Sequence, residues 1–402
     1  MPQSCSMKIK PLFIWSRFRI TANVRLWEVL AESSKIEPVV IWVKDFLKDE
    51  PLPSSLAESL EYQVIGANEV TLKMGWRNLF RLITSIFSAA KHADCIVAST
   101  HNRIHARIGW MIAKLYRIPI AMVVETWTYS DRRTWLRKFL QETKLFFLRR
   151  CDYVFVHGSR QKIYVLNAAR APQHQILIWP HLSQDLGKIK QDLTEEIRAK
   201  YSLEGKKVIL YLGRIIPRKG LLDLIRACNE IAKTVDNAVL LVGGSVSKRG
   251  EHNENEIDPE LYGYFDACKK ESANCGMKVI FAGEIPPGLS QNYFAVADIF
   301  VHPHSDYKNQ LEGWGLVINE AASMGLPIVA TDRVAAAADL VRDGWNGYVV
   351  KAGDVNNLGE RIAEILSDEE LQMKFAQNSR KVFEDYQNPQ RTIDGILRLT
   401  NH

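Results

Sequence analysis

Short runs of β-branched and aromatic residues alternate with longer segments whose apolar residues recur three and four apart, and this persists along almost the whole chain. Pro11–Trp15, Val39–Val43, Cys95–Ala98, Ile120–Val124, Tyr153–Val156 and Ile176–Ile178 read as buried strands. Trp76–Phe87 and Ile104–Leu115 read as helices between them. Strands and helices in strict alternation imply parallel sheets joined by right-handed crossovers. The pattern then restarts, with strands at Lys206–Leu212, Ala238–Val242, Lys278–Ala282, Asp298–Val301 and Pro327–Ala330. Helices are expected at Leu221–Thr234 and Leu316–Met324. A chain of 402 residues exceeds one ordinary core. The expectation is two α/β domains, residues 1–183 and 184–402, with the last helix packing back on the first. The joint falls between Pro180 and Gly205, where a strand ends and a polar, charged stretch follows.

No apolar run approaches the roughly 20 residues that cross a bilayer, and Met1–Lys10 lacks the apolar stretch of a secretory signal. The six cysteines form no CxxC pair and no metal-like spacing, which fits free thiols in a reducing cytoplasm. Residues Ser245 to Asp258 are polar and read as a surface loop after a strand.

Charge is distributed unevenly. Through Ser183 there are 26 Lys and Arg against 14 Asp and Glu, a net of +12; from Gln184 onward there are 26 against 32, a net of −6. The first half therefore faces something anionic, a membrane surface or a phosphorylated substrate, and is not read as a nucleic-acid site. Asp131–Arg150 concentrates cations beside Trp135, Leu136, Phe139, Leu140 and Phe147. Lys73–Lys91 sets Trp76, Phe80, Ile83 and Phe87 beside Lys73, Arg77 and Arg81. The apolar faces of both are expected to pack on the sheet, leaving the cations outward for anionic lipid.

Three features of the second half converge on a phosphate-bearing ligand. Leu212-Gly213-Arg214 ends a strand, and Lys219-Gly220 precedes a helix, so two cations lie near the strand's carboxyl end. Glu312-Gly-Trp-Gly-Leu-Val-Ile-Asn-Glu320 places glycines where a helix should open with bare N–H groups at its positive end. A helix starting near Gly315 has Glu320 in its second turn and Glu312 before it. Gly243-Gly244 and Gly283 also end strands, as expected of a cleft at the carboxyl edge of a sheet.

At these residues the chain resembles glycosyltransferase family four, the group 1 retaining enzymes with the GT-B fold of two Rossmann-like domains facing each other across a cleft. The likeness extends through Ala297-Asp298-Ile-Phe-Val, Gly325-Leu-Pro-Ile-Val-Ala-Thr-Asp332 and Asp343-Gly-Trp-Asn-Gly347, covering Val208 to Val350 strongly. The resemblance implies that Arg214 and Lys219 bind a donor diphosphate and stabilise the departing charge. It implies that Glu312 holds hydroxyls of the transferred sugar while Glu320 takes those of the ribose. Gly213, Gly244, Gly313, Trp314, Gly315 and Leu316 would line the donor, with Glu284 and Ile285 against the base. No metal is expected, and Asp298, His302, His304 and Asp306 come nearest to a ligand set.

Two departures fall on the acceptor side. The turn after the first strand reads Trp15-Ser-Arg17-Phe-Arg19 in place of a glycine-rich one, and Glu125-Thr-Trp127 stands where a His is common. Arg17, Glu125, Trp127 and His157 are the candidate acceptor-side residues. The implied activity is transfer from a UDP- or GDP-sugar to a glycan or lipid-linked acceptor, in polysaccharide or glycoconjugate assembly at the inner membrane face. A sugar-nucleotide epimerase of the same fold and a non-catalytic sugar-nucleotide-binding subunit are the alternatives. A nicotinamide-dependent oxidoreductase is disfavoured, because no GxGxxG follows the first strand of either half.

Overall fold

The computed structural model describes residues 8–16, 20–44, 60–66, 76–99, 104–127, 135–186, 191–246, 259–286 and 288–401. Arg17, Arg132, Arg133 and most of the polar stretch after Val246 lie outside them, as do the side chains of Arg137 and Lys138. Contacts divide the chain into two units, Met1–Ser183 with Gln387–His402, and Gln184–Tyr386.

The first unit holds strands β1 (Pro11–Ser16), β2 (Val39–Lys44), β3 (Glu61–Gly66), β4 (Cys95–Ala98), β5 (Ile120–Val124), β6 (Tyr153–Val156) and β7 (Ile176–Ile178). They pair in the order β3-β2-β1-β4-β5-β6-β7, all parallel. Its helices are α1 (Ile20–Glu32), α2 (Trp76–Ala90), α3 (Ile104–Tyr116), α4 (Trp135–Leu148) and α5 (Ser159–Tyr164). Both sheet faces are covered, which is why the strands read as unbroken apolar runs. In β1, Leu12 and Ile14 point into the layer formed by α2, α3 and α4. Phe13 and Trp15 point the other way, onto Trp27 and Leu30 of α1.

The second unit holds α6 (Gln191–Tyr201), β8 (Lys207–Leu212), α7 (Leu221–Ile231), β9 (Ala238–Gly243), α8 (Pro259–Asn274) and β10 (Lys278–Gly283). Next come α9 (Ser290–Ala295), β11 (Ile299–His302), α10 (Leu316–Ser323), β12 (Ile328–Thr331), α11 (Ala337–Leu340) and β13 (Gly347–Val350). The helices α12 (Val355–Ser367) and α13 (Glu369–Tyr386) complete it. The strand order is β10-β9-β8-β11-β12-β13, again all parallel. The last helix, α14 (Pro389–Thr400), sits in the first unit, where the Trp179 indole N–H donates to the Thr392 carbonyl at 3.0 Å. Asn388 caps it by accepting from the Gln390 N–H, and Pro389 opens it.

Each sheet winds outward in two directions from a central pair, β1/β4 in the first and β8/β11 in the second. Ligands of such sheets bind at the carboxyl ends of the strands where the order reverses. Two strands escape the sequence reading. In β3, the edge of its sheet, Glu61, Tyr62 and Gln63 are exposed, so its apolar signal is weak. In β13 four residues begin on a glycine. α7 also stops three residues before Thr234.

The expected packing faces of the basic helices need correction. Leu82, Ile86 and Ala90 are the buried stripe of α2, and Trp76, Phe80, Ile83 and Phe87 are exposed. In α4, Leu145 and Leu148 are buried and Phe147 packs against the core, while Phe139 is exposed. In α2 the anchoring residues lie one position away from the face expected, whereas in α4 Phe147 keeps its expected place.

Candidate active site

The second unit's site is assembled from the loops after β8, β9, β10 and β11. The Gly213 N–H donates to the Gly243 carbonyl at 3.0 Å and the Ile215 N–H to the Ser245 carbonyl at 2.9 Å, so the chain after β8 stays tied to the chain after β9. The Tyr211 hydroxyl donates to the Arg214 carbonyl at 2.8 Å and fixes the turn. A tight turn over Pro217–Lys219 then delivers the chain to Gly220, whose φ of 72° opens α7. A Cβ at Gly220 would lie 1.8 Å from the Pro303 carbonyl oxygen, so only glycine lets this turn press on the loop after β11.

That loop is strapped down in return. The Ser305 N–H donates to the Arg218 carbonyl at 3.0 Å and its hydroxyl to the Pro217 carbonyl at 2.8 Å. His304 Nδ1 lies against the same Arg218 carbonyl, and the Thr331 hydroxyl holds the His304 carbonyl at 2.7 Å. Further along, the Glu312 N–H donates to the Arg333 carbonyl at 2.9 Å. These ties bring three charged side chains together. Lys219 Nζ lies 2.6 Å from the Glu312 carboxylate, and Arg218 Nη1 lies 3.2 Å from the same oxygen. Arg214 is near enough for its charge to act on Lys219.

The electrostatics follow from this crowding. Burial alone would raise the Glu312 carboxyl, but Lys219, by charge and hydrogen bond, and Arg218 hold it well below the usual carboxylate range. Burial lowers the Lys219 ammonium, as do Arg218 and Arg214, while Glu312 opposes them. Burial and the Lys219 charge keep the two histidines neutral, His302 far below its ordinary value and His304 down to about 3. Glu320 has no such cation beside it, and burial pushes it up to about 7.

Glu320 stands in the second turn of α10. Gly315, with a φ of 97°, precedes the helix, and no side chain caps it. Trp314 is a strut: its indole donates to Asn319 Oδ1 at 2.9 Å, its ring stacks on Tyr386 at 5.4 Å, and its carbonyl accepts from the Ala336 N–H. Gly313 and Leu316 flank this turn, so the amide end of α10 opens beside the Lys219–Glu312 pair. The Gly244 N–H is engaged by the Gly283 carbonyl at 2.7 Å. Ile285 lies over Gly243, and Glu284 is exposed at the rim.

The metal-like residues do not converge. Asp298 accepts from the Val208 N–H at 2.7 Å at the far end of β11, and Asp306 pairs with Arg333 at 2.6 Å. Among the described residues no group of three His, Cys, Asp or Glu has metal-binding geometry. Fixed cations beside a bare helix end can instead hold a polyanion such as a diphosphate. Arg218 was passed over in the sequence, although its place beside Lys219 in one short turn was a usable signal.

In the first unit, Glu125 and Trp127 follow β5 and His157 follows β6. His157 is buried, with Nδ1 3.2 Å from the Trp179 carbonyl and its ring stacked on His181. Burial lowers its pKa, and the nearby Glu125 opposes that. The Arg160 guanidinium lies 5.2 Å over the Trp127 ring.

Comparison with known proteins bears on this geometry. Residues 194–382 match the family model for glycosyl transferases group 1. The GDP-mannose-dependent alpha-(1-6)-phosphatidylinositol monomannoside mannosyltransferase of Mycolicibacterium smegmatis is 26% identical over 324 residues, which are 79% of this chain and 72% of that one. The capsular polysaccharide biosynthesis glycosyltransferase CapM of Staphylococcus aureus is 30% identical over 178 residues, 44% of this chain and 41% of that one. Among solved structures, Anabaena HepE in complex with UDP and glucose aligns with a TM-score of 0.73 at 16% identity, covering 98% of this chain and 100% of that one. Sucrose-phosphate synthase from Thermosynechococcus elongatus gives 0.72 at 18% identity, covering 98% of both. The fold is that of these GT-B enzymes, as expected from the sequence. The second unit carries a group 1 glycosyltransferase domain, matched over residues 194–382.

Proposed function

We propose that the chain moves a sugar from a UDP- or GDP-sugar to a glycan or lipid-linked acceptor, with net retention and without a metal ion, in polysaccharide or glycoconjugate assembly. The observation that carries this reading is the convergence of Arg218, Lys219 and Glu312 at the amide end of α10, where the strand order of the second sheet reverses. A donor diphosphate there draws Lys219 and Arg218 away from Glu312, and the released carboxylate accepts hydroxyls of the sugar. Arg214 joins the same cations and stabilises the charge that builds as the nucleotide leaves. Ionised Glu320 accepts the ribose hydroxyls. Glu125, Trp127 and His157 lie on the acceptor side. Retention rests on the family resemblance alone. The relatives' names support the substrate class: one is GDP-mannose-dependent and acts on a phosphatidylinositol monomannoside, and a structural neighbour is in complex with UDP and glucose. The protein works against the inner membrane face, to which its basic first half is drawn.

The test is a thermal-stabilisation screen with UDP-, GDP- and ADP-sugars, in which a donor at 100 times its dissociation constant adds about 2.7 kcal/mol. The stabilising donor is then incubated with and without candidate acceptors. Consumption of donor and acceptor together is the expected outcome. Change in the donor alone would mean epimerisation, and binding without change would mean a non-catalytic subunit.

A further inference from the structure

The helix α2 is apolar on two adjacent sides, about 100° apart, and only one of them faces the core. Leu82, Ile86 and Ala90 face the core. Beside them Trp76, Phe80, Ile83 and Phe87 form an outward ridge about 16 Å long at 1.5 Å per residue, with Trp76 87% and Phe80 69% exposed. Thr84, on the same side, turns its hydroxyl back onto the Phe80 and Arg81 carbonyls, each at 3.0 Å, and so adds no polarity to the ridge. The neighbouring α3 extends the surface. Its Ile104, Met111 and Leu115 are exposed, and its Tyr116 ring meets Phe87 at 5.0 Å.

Contiguous exposed rings and aliphatic side chains are uncommon on a surface that meets only water. The charges carried by the two helices are of one sign, and of their cations Lys114 is paired, with Asp152 at 3.1 Å. The spans of α2 and α3 contain Arg77, Arg81, Arg107 and Lys114 and no Asp or Glu. Lys91 follows α2 with its ammonium 5.7 Å from the Phe87 ring centroid. An apolar ridge flanked by cations fits the boundary between acyl chains and anionic headgroups. It fits a second copy of this chain poorly, because a two-fold contact would set Arg77 and Arg81 of one copy against those of the other. No helix among the described residues is long and apolar enough to cross a bilayer, so the ridge lies in the interface plane.

We infer that the outer ridge of α2, Trp76–Phe80–Ile83–Phe87, inserts into the surface of an anionic lipid bilayer, with the adjoining face of α3 alongside. This deepens the membrane reading proposed above, and replaces attachment by charge alone with attachment by inserted side chains. It also has a consequence for substrate delivery. All strands of the first sheet are parallel, and α2 follows β3, so Trp76 begins its helix at the carboxyl edge of that sheet. Ile104 begins α3 at the same edge, after β4. Insertion there brings headgroups to the edge at which this unit meets its ligand.

The experiment is flotation of the full chain with vesicles of phosphatidylcholine alone and of phosphatidylcholine mixed with phosphatidylglycerol, at low and high salt. The expected result is binding to the anionic vesicles that persists in part at high salt, where screening removes a purely electrostatic attachment. The variant Trp76→Ser with Phe80→Ser, whose exposed positions leave the melting temperature unchanged, should lose at least tenfold in partitioning, since each buried ring is worth about that factor. Arg77→Glu with Arg81→Glu should abolish the preference for anionic vesicles. Binding by the ridge variant equal to that of the unaltered chain overturns the inference while the membrane reading stands. No binding by the unaltered chain overturns both. A dimer in solution that the ridge variant dissolves, without vesicle binding, assigns the ridge to self-association instead. None of these outcomes alters the donor screen, so the transferase reading fails or survives separately.

Discussion

The carboxyl edges of the two sheets share a topology and differ in chemistry. After β8 and β11, the second unit holds Arg218, Lys219 and Glu312 within 2.6–3.2 Å, next to a helix end that no side chain caps. After β5 and β6, the first unit turns its polar groups onto its own chain: His157 to the Trp179 carbonyl, and Arg160 to the Trp127 ring. Among the described cations, Arg77 and Arg81 of α2 are exposed. A parallel sheet supplies a place for a ligand, and the residues after each strand decide what that ligand can be. One edge is set up for a polyanion. Among the described residues the other shows no comparable concentration of charge.

The sharpest way to break this contrast is to remove one cation. Lys219→Ala should lower kcat/KM by roughly 10²–10³, the loss typical of a donor aimed at developing charge. It also leaves Glu312 in a buried site with Arg218 as its remaining close cation. Breaking a buried pair costs about 3–5 kcal/mol, so the melting temperature should fall as well, less than that because Arg218 stays. The matched change in the other unit, His157→Gln, should leave nucleotide affinity within about twofold. Steady-state kinetics with thermal melts on both variants test the contrast, and equal losses of nucleotide binding would abolish it.

A finer test separates the two carboxylates. Glu320→Ala should weaken free nucleotide by about tenfold, if each lost hydrogen bond to a charged group is worth about 1.5–3 kcal/mol. Glu312→Ala should not weaken it, and should strengthen it somewhat, since Lys219 and Arg218 are then no longer neutralised. The same variant should transfer sugar poorly. Calorimetric titration with nucleotide, then with sugar nucleotide, distinguishes the two; identical behaviour would remove the division of roles.

The contrast also explains how much could be read in advance. The strands β4, β5, β6 and β7 have the bounds expected, because each is a dense apolar run between turns. The pairing of Lys219 with Glu312 joins residues 93 apart; strand-end cations and a glycine-opened helix point both segments to one ligand, but no local pattern pairs the two side chains. Arg218 was missed for a related reason: its contact is created by the strap through Ser305, which no periodicity encodes. In the first unit the outward ridge of α2 was misassigned because a helix apolar on two sides has no single stripe to orient it.

Titration offers a smaller effect of opposite sign at the two carboxylates. Glu320 is raised to about 7, above the roughly 4.3 of an unfolded glutamate. Between those values the native state binds more protons, so stability falls as pH rises, and the full penalty is present above about 7. Glu320→Gln should therefore stabilise the ligand-free protein by about 1–3 kcal/mol at pH 8 and hardly at all near pH 4. Glu312 is depressed, so its contribution is present above the unfolded value and is lost as pH falls through its low native one. Denaturant unfolding at the two pH values checks the sign. A Glu320→Gln variant less stable than its parent at pH 8 would mean that the carboxylate is paired in the native state.

The smallest expected effect is that of a chelator, and it bears on how the charged edge works. A divalent ion would need acidic or imidazole ligands free to converge, and among the described residues no group of three does so. Asp298 holds the backbone of β8, Asp306 holds Arg333, and His304 Nδ1 lies against the Arg218 carbonyl. On the proposed reading, the positive charge that a metal would bring to a diphosphate comes from Arg214, Arg218 and Lys219 and from the amide end of α10. A divalent ion added among those side chains would be repelled by them across a low dielectric. Transfer should accordingly proceed at an unchanged rate in the presence of a chelator, and added magnesium or manganese should not raise it. The rate with Lys219→Ala makes the test two-sided: if a divalent ion restores activity to that variant alone, the cation and the metal are interchangeable at this site. If the unaltered protein loses activity on chelation and regains it with magnesium, the cations of the second unit do not suffice, and its edge needs a partner that its own residues do not provide.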